Sequence, residues 1–132
     1  MGNGKQYGVM QRGMKVQPIN NITFTSQIKK LYKKGRIKLK YGIYGEELTK
    51  QNVSDEHIIC KCFGGTNDLS NIALASKELN NARGNNPIGL FVTIGMLRQY
   101  LRQFKGIKCQ GFDGDSYIRS IKETFKRLMD DD

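Results

Sequence analysis

Apolar positions change period several times along this chain, and each change marks an element. Ile28, Leu31 and Tyr32 recur at helical spacing, which predicts a short helix through Lys33, opened by Thr25 or Ser26 as a side-chain cap and stopped at Gly35. RIKLKYGIY, Arg36 to Tyr44, alternates weakly and suits a short hairpin or knuckle ending at Gly45. Val53 to Cys62 has strand character, Gly64-Gly65 makes a turn, Asn67 to Ser70 is loop chemistry, and Ile72 to Leu74 is a second short strand. SKELNNAR, Ser76 to Arg83, then forms a short helix that Gly84 and Pro87 terminate.

Two longer helices follow, separated by the loop KGIKCQGFDG. Leu90, Phe91, Ile94, Leu97, Tyr100, Leu101 and Phe104 fall on one stripe of a helix over 87–104, with Pro87 in its first turn. Ile118, Ile121, Phe125 and Leu128 do the same over 115–129, with Asp115 or Ser116 as cap. Asp130, Asp131 and Asp132 oppose that helix's dipole and predict a frayed, solvated end. Residues 1–22, rich in Gly, Asn and Gln without periodicity, read as an extended arm. No internal repeat and no low-complexity tract is evident. The reading is an α+β fold, one domain over 23–132 with the arm before it.

At 132 residues the chain is long enough for one core and too short for two. Its 22 Lys+Arg against 12 Asp+Glu give +10, which favours an anionic partner, nucleic acid before membrane. The charge is concentrated early: residues 1–52 carry 11 Lys/Arg and 2 Glu, and KKLYKKGRIKLK, Lys29 to Lys40, holds seven of those cations. No apolar run approaches the roughly 18 residues of a spanning helix, and MGNGKQYGVMQRGMKVQP lacks the apolar core of a secretory signal. A soluble protein of the cytoplasm, with no membrane partner, is the expectation. Three cysteines, an odd number, argue against a disulfide framework; Cys60 and Cys62 lack a second pair to complete a zinc site and read as unliganded thiols.

Chemistry concentrates between Glu56 and Asn81, in EHIICKCFGGTNDLSNIALASKELNN. It holds the chain's one histidine, an acid beside it, a Gly-Gly turn and several asparagines. This stretch resembles the HNH endonuclease family, whose ββα-metal motif reads acid-His-Ile, Gly-Gly, an Asn opening the second strand, and Asn or His in the helix. Here those are Glu56-His57-Ile58, Gly64-Gly65, Asn71 and Asn80, with a nine-residue step from Asn71 to Asn80. The resemblance covers about Leu31 to Ile88, with the motif core at 53–84.

The resemblance implies a metal-dependent nuclease that hydrolyses DNA phosphodiesters, nicking one strand per visit and cutting both if dimeric. An imidazole, with its ordinary pKa near ~6.5, can take a proton from water at neutral pH, so His57 is the expected general base. Glu56, facing away from His57 if the strand is regular, needs a local bend to join Asn80 as a ligand of Mg²⁺ or Mn²⁺. Asn81, one residue on, competes with Asn80 for that role. By family analogy Asn71 is no ligand; it ties the loop to the strand and orients His57. Lys29, Lys30, Lys33, Lys34, Arg36 and Lys38 are expected to grip the phosphate backbone, and Arg83 to sit near the scissile phosphate.

Many such proteins also carry a zinc knuckle of two Cys-x-x-Cys pairs. Here those places hold Tyr41, Tyr44, Ser76 and Leu79, so no structural zinc is expected and an apolar cluster is expected to fasten the knuckle instead. Cys60 stands where the family commonly has proline. The Lys-, Asn- and Ile-rich wording suits a low-GC bacterium or the cell its phage infects, where small free-standing relatives act as homing enzymes or in genome packaging; a homodimer or a packaging partner is the company to expect. The rival readings are an idle HNH scaffold that binds nucleic acid or serves in a virion, and an RNA-directed toxin nuclease.

Overall fold

Ser26 caps the first helix, α1 (Gln27–Lys33), by accepting from the Lys29 amide. The helix closes with Gly35 and Arg36 amides returning to Tyr32 and Leu31 carbonyls. The computed structural model describes residues 24–130; the expected arm, 1–22, and the end of the acidic tail, Asp131 and Asp132, lie outside the described residues. These residues are mixed α+β: four α-helices, two small antiparallel sheets and short 3-10 turns. No helix among them is long and apolar enough to cross a membrane.

The larger sheet pairs β1 (Val53–His57) with β2 (Ile72–Ser76), Val53 opposite Ser76 and His57 opposite Ile72. Strand alternation puts Ser54, Glu56, Ala73 and Ala75 on one face and Val53, Asp55, His57, Ile72 and Leu74 on the other. Helix α2 (Lys77–Arg83), capped by the Ser76 hydroxyl, lies against the first face, where two alanines let it approach closely. Helix α1 takes the second face; the Asp55 carboxylate accepts from both the amide (2.9 Å) and the hydroxyl (2.5 Å) of Ser26.

The outer edge of β2 carries polar backbone groups that a buried edge must satisfy. Four partners do so: Tyr117 donates to the Ile72 carbonyl (2.7 Å), Tyr100 accepts from the Leu74 amide (2.9 Å), the Ile43 amide reaches the Leu74 carbonyl, and Glu46 takes the Ser76 amide. Tyr100 belongs to α3 (Ile94–Arg102). A tight hairpin joins this helix to the last one, pairing β3 (Lys108–Cys109) with β4 (Phe112–Asp113) about Gln110 and Gly111, both at positive φ. Tyr117 belongs to α4 (Gly114–Asp130). Tyr100, Phe104, Phe112 and Tyr117 pack ring to ring in the core, which also takes Ile28, Leu31, Ile43, Ile72, Leu74 and Ile121.

Several expectations are corrected. The strand expected through Cys62 ends at His57, after which the chain bends into a 3-10 turn at Lys61–Phe63. The helix expected from Pro87 starts at Ile94, because Thr93 caps it by accepting from the Met96 amide and a 3-10 turn, Ile88–Leu90, takes up the residues before it. Leu90 is therefore 74% exposed, and Phe91 and Ile94 are also surface residues rather than core. Asp113, not Asp115 or Ser116, caps α4: it accepts from the Asp115 amide and the Ser116 hydroxyl.

The knuckle is present as a tight turn in which Tyr41 bridges to Glu47 and Ile43 is buried in the core, but the expected cluster with Leu79 does not form. Leu79 is 38% exposed and the Tyr44 hydroxyl points to Glu56. Glu46 performs the fastening, one carboxylate oxygen taking the Tyr44 amide (3.1 Å) and the other the Ser76 amide (2.7 Å).

Candidate active site

His57 is the last residue of β1, half-buried, with its Nε2 2.8 Å from Asn67 Oδ1 and its ring 6.0 Å from that of Phe24. An amide oxygen only accepts, so a neutral imidazole in this contact carries its proton on Nε2, and among the described residues Nδ1 has no hydrogen-bond partner. Asn67 carries no signal in the sequence: nothing about a polar residue in a Gly-Thr-Asn-Asp loop says that it will turn back ten positions to a histidine.

Asn71 is buried and holds the loop shut. Its Oδ1 accepts from the Ile59 amide (2.8 Å), its Nδ2 donates to the Ile59 and Thr66 carbonyls (3.0 and 2.9 Å), and its own carbonyl takes the Ile58 amide. Tying loop to strand is therefore what this side chain does. Orienting the imidazole is a correction: that contact belongs to Asn67. Next to the clamp, Gly65 lets the loop pass so close that a β-carbon there would stand 1.7 Å from the Ile59 carbonyl oxygen.

Glu56 faces away from His57, since β1 is regular and no bend turns it. It is only 3% exposed, on the α2 face, where the Tyr44 hydroxyl donates to Oε2 (2.6 Å) and Arg83 Nη1 to Oε1 (3.0 Å). Burial pushes its carboxyl above the ordinary range, against the opposing pull of Tyr44 and Arg83. Burial, and then the bond to Glu56, likewise drive the Tyr44 phenol far up.

Arg83 corrects a second expectation. Its guanidinium is buried, not poised at a phosphate: beyond Glu56 it donates to the His57 and Ile58 carbonyls and to the Asn86 carbonyl. It thus rivets the end of β1 to α2. Asn80 shares this face, its Nδ2 donating to Ser54 Oγ (3.1 Å) and the Asp55 carbonyl (3.0 Å), whereas Asn81 is exposed to solvent.

Of the two donors named for a hard cation, Glu56 does not fit one as it stands: both its oxygens are engaged, and a guanidinium occupies the neighbourhood a divalent ion would fill. Cys60 and Cys62 are free thiols in contact (Sγ to Sγ 2.7 Å), with Cys60 also reaching Asn85 Oδ1. The Cys62 thiol beside it lowers Cys60.

Of the basic run, Lys30, Lys33, Lys34, Arg36 and Lys38 are exposed and Lys29 is half-buried. Helix α1 packs on the strand face that also bears His57, so this charge and the imidazole share a side of the sheet. Comparison of the chain with protein-family models, with curated proteins and with solved structures finds no match.

Proposed function

We propose that the chain is a small HNH-type endonuclease acting on DNA, with His57 as general base. The observation that carries this reading is the imidazole at the end of β1, its Nε2 held by Asn67 and its Nδ1 without a partner among the described residues, next to a loop that Asn71 clamps and beside a basic helix. In this reading phosphates lie along α1, and Nδ1 of His57 takes a proton from the water that attacks phosphorus. Arg83 and Glu56 act behind the strand, where the two carbonyl bonds of Arg83 hold His57 and Ile58 in place. The Mg²⁺ or Mn²⁺ that the resemblance implies would need Glu56 to leave Arg83 before the carboxylate could serve it.

Supercoiled plasmid tests the reading. The chain with Mg²⁺ or Mn²⁺ should convert it to the nicked form, EDTA should stop the reaction, and His57→Ala should slow it at least about 10²-fold with DNA affinity nearly intact. Activity retained within about threefold would remove His57 from the base role, since a general base contributes about 10²–10⁴-fold. The buried Glu56–Arg83 pair favours a second reading, an idle scaffold that binds DNA without cutting it. Duplex binding with no nicking under either metal would select that one.

A further inference from the structure

Two stretches of the carboxy-terminal half share Tyr, Arg and Lys at one spacing: RQYLRQFK, Arg98 to Lys105, across the end of α3, and DSYIRSIK, Asp115 to Lys122, in α4. Their tyrosines, Tyr100 and Tyr117, are both buried, with hydroxyls 3.0 Å apart, and each bonds the backbone of β2. Phe104 and Ile121 follow four residues later and are both fully buried. Arg102 and Lys105 after the first tyrosine, and Arg119 and Lys122 at the same steps after the second, are exposed. This spacing gives each stretch a buried and an exposed side.

Its outer positions meet in a groove of about 510 Å³ between α3 and α4. Leu101 and Ile118 line it at equivalent positions. Arg98, Arg102 and Lys105 project from one side and Arg119 and Lys122 from the other, all five exposed. The one carboxylate there, Asp115, accepts from the Gly106 amide where the end of α3 meets the start of α4. Among the described residues the only ion pair is Glu56–Arg83, so none of the five cations pairs with a described carboxylate. Net charge over residues 53–132 is only +1, because acids elsewhere in that half offset them.

We infer that this groove is a second nucleic-acid contact, a seat for the phosphate backbone of duplex DNA. Three of its cations are arginines, whose planar forks match phosphate oxygens two at a time. The repeat distance along each helix, about 6 Å for four residues, spreads the charge in a row rather than a point, which suits a polyanion over a single anion. None of the lining residues is aromatic, so the groove lacks the stacking platforms that hold unpaired bases. It reads charge and not sequence. Such binding does not depend on cleavage at His57, because holding a backbone breaks no bond.

Fluorescence anisotropy of a short labelled duplex, titrated with the full chain over a salt series, tests it. The triple variant Arg98→Ala, Arg102→Ala, Arg119→Ala should bind more weakly at low salt, its salt slope reduced by about 0.9 log units for each phosphate it no longer neutralises. Replacing the same three by Lys should keep most of the slope, and thermal melts should show both variants folded. If the alanine triple is unfolded, the single Arg102→Ala should still show a slope smaller by up to about 0.9 log units. A wild-type slope in a folded alanine variant, tighter binding of the corresponding single strand, or no duplex binding by the wild-type chain would each overturn the assignment. Plasmid nicking read beside it separates this outcome from failure of the His57 role.

Discussion

Glu56 shows what a single position can and cannot announce. Acid beside histidine was legible in the sequence, and so was its opposite face on a regular strand; its partners were not, because they are Arg83, 27 residues away, and Tyr44 from the knuckle. Burial is the largest influence on this carboxyl and raises it. A carboxyl whose folded pKa lies above its unfolded value stabilises the fold fully below that unfolded value, and the contribution is lost as pH rises through the folded one. Wild type should therefore gain stability relative to Glu56→Gln as pH falls from neutral towards 4.5, its ordinary value. Urea unfolding of the two proteins across that range reads the difference directly. A gain in the opposite direction would mean that pairing with Arg83 outweighs desolvation. Asn71 is the contrary case: its tie between loop and strand came only as what the resemblance implies, because an Asn at a loop end reads equally well as a simple cap.

Elements bounded by a chemical stop were the most legible ones. Helices α1 and α2 begin at serines whose hydroxyls take the third amide along, and both end beside glycine. Where periodicity ran past a hidden cap, the pattern overshot: Leu90, Phe91 and Ile94 continue the stripe of α3 in sequence, but Thr93 restarts the helix and leaves them outside the core. The Gly64-Gly65 turn is a sharper instance, since the two glycines serve different ends. Gly64 sits at φ +90° with nothing near its missing side chain, whereas the space at Gly65 is already filled by the Ile59 carbonyl. Gly64→Ala should cost about 1–2 kcal/mol, the left-handed penalty. Gly65→Ala should cost about 3 kcal/mol or more, at or beyond the top of the overpacking range, because backbone and not a flexible side chain must yield. Denaturant midpoints would rank the pair, and equal effects would show that the loop relaxes freely away from Asn71.

For the molecule as a whole, the mixed α+β architecture followed from counting periods, but the way its parts are joined did not. Hydroxyls of Tyr100 and Tyr117 on the β2 edge, and Glu46 in the place of a metal knuckle, are long-range choices that local pattern leaves open. Because a carboxylate and two amides fasten that knuckle, the fold should need no zinc: elemental analysis should find far less than one zinc per chain, and EDTA should leave the melting temperature nearly unchanged. A stoichiometric zinc whose removal lowers that temperature would put a metal back among the structural elements. The fastening of β2 also has a consequence for how the chain is made. Tyr117 and Thr124 close over the Ile72 and Ser70 carbonyls, yet the ribosome delivers them long after the strands and α2. At about 5–20 residues per second, the roughly forty residues between Arg83 and Thr124 take about 2–8 s to arrive. For that interval the newborn sheet lacks the Tyr117 that closes the edge of β2, and its unpaired backbone groups are open to other strands until α4 is translated.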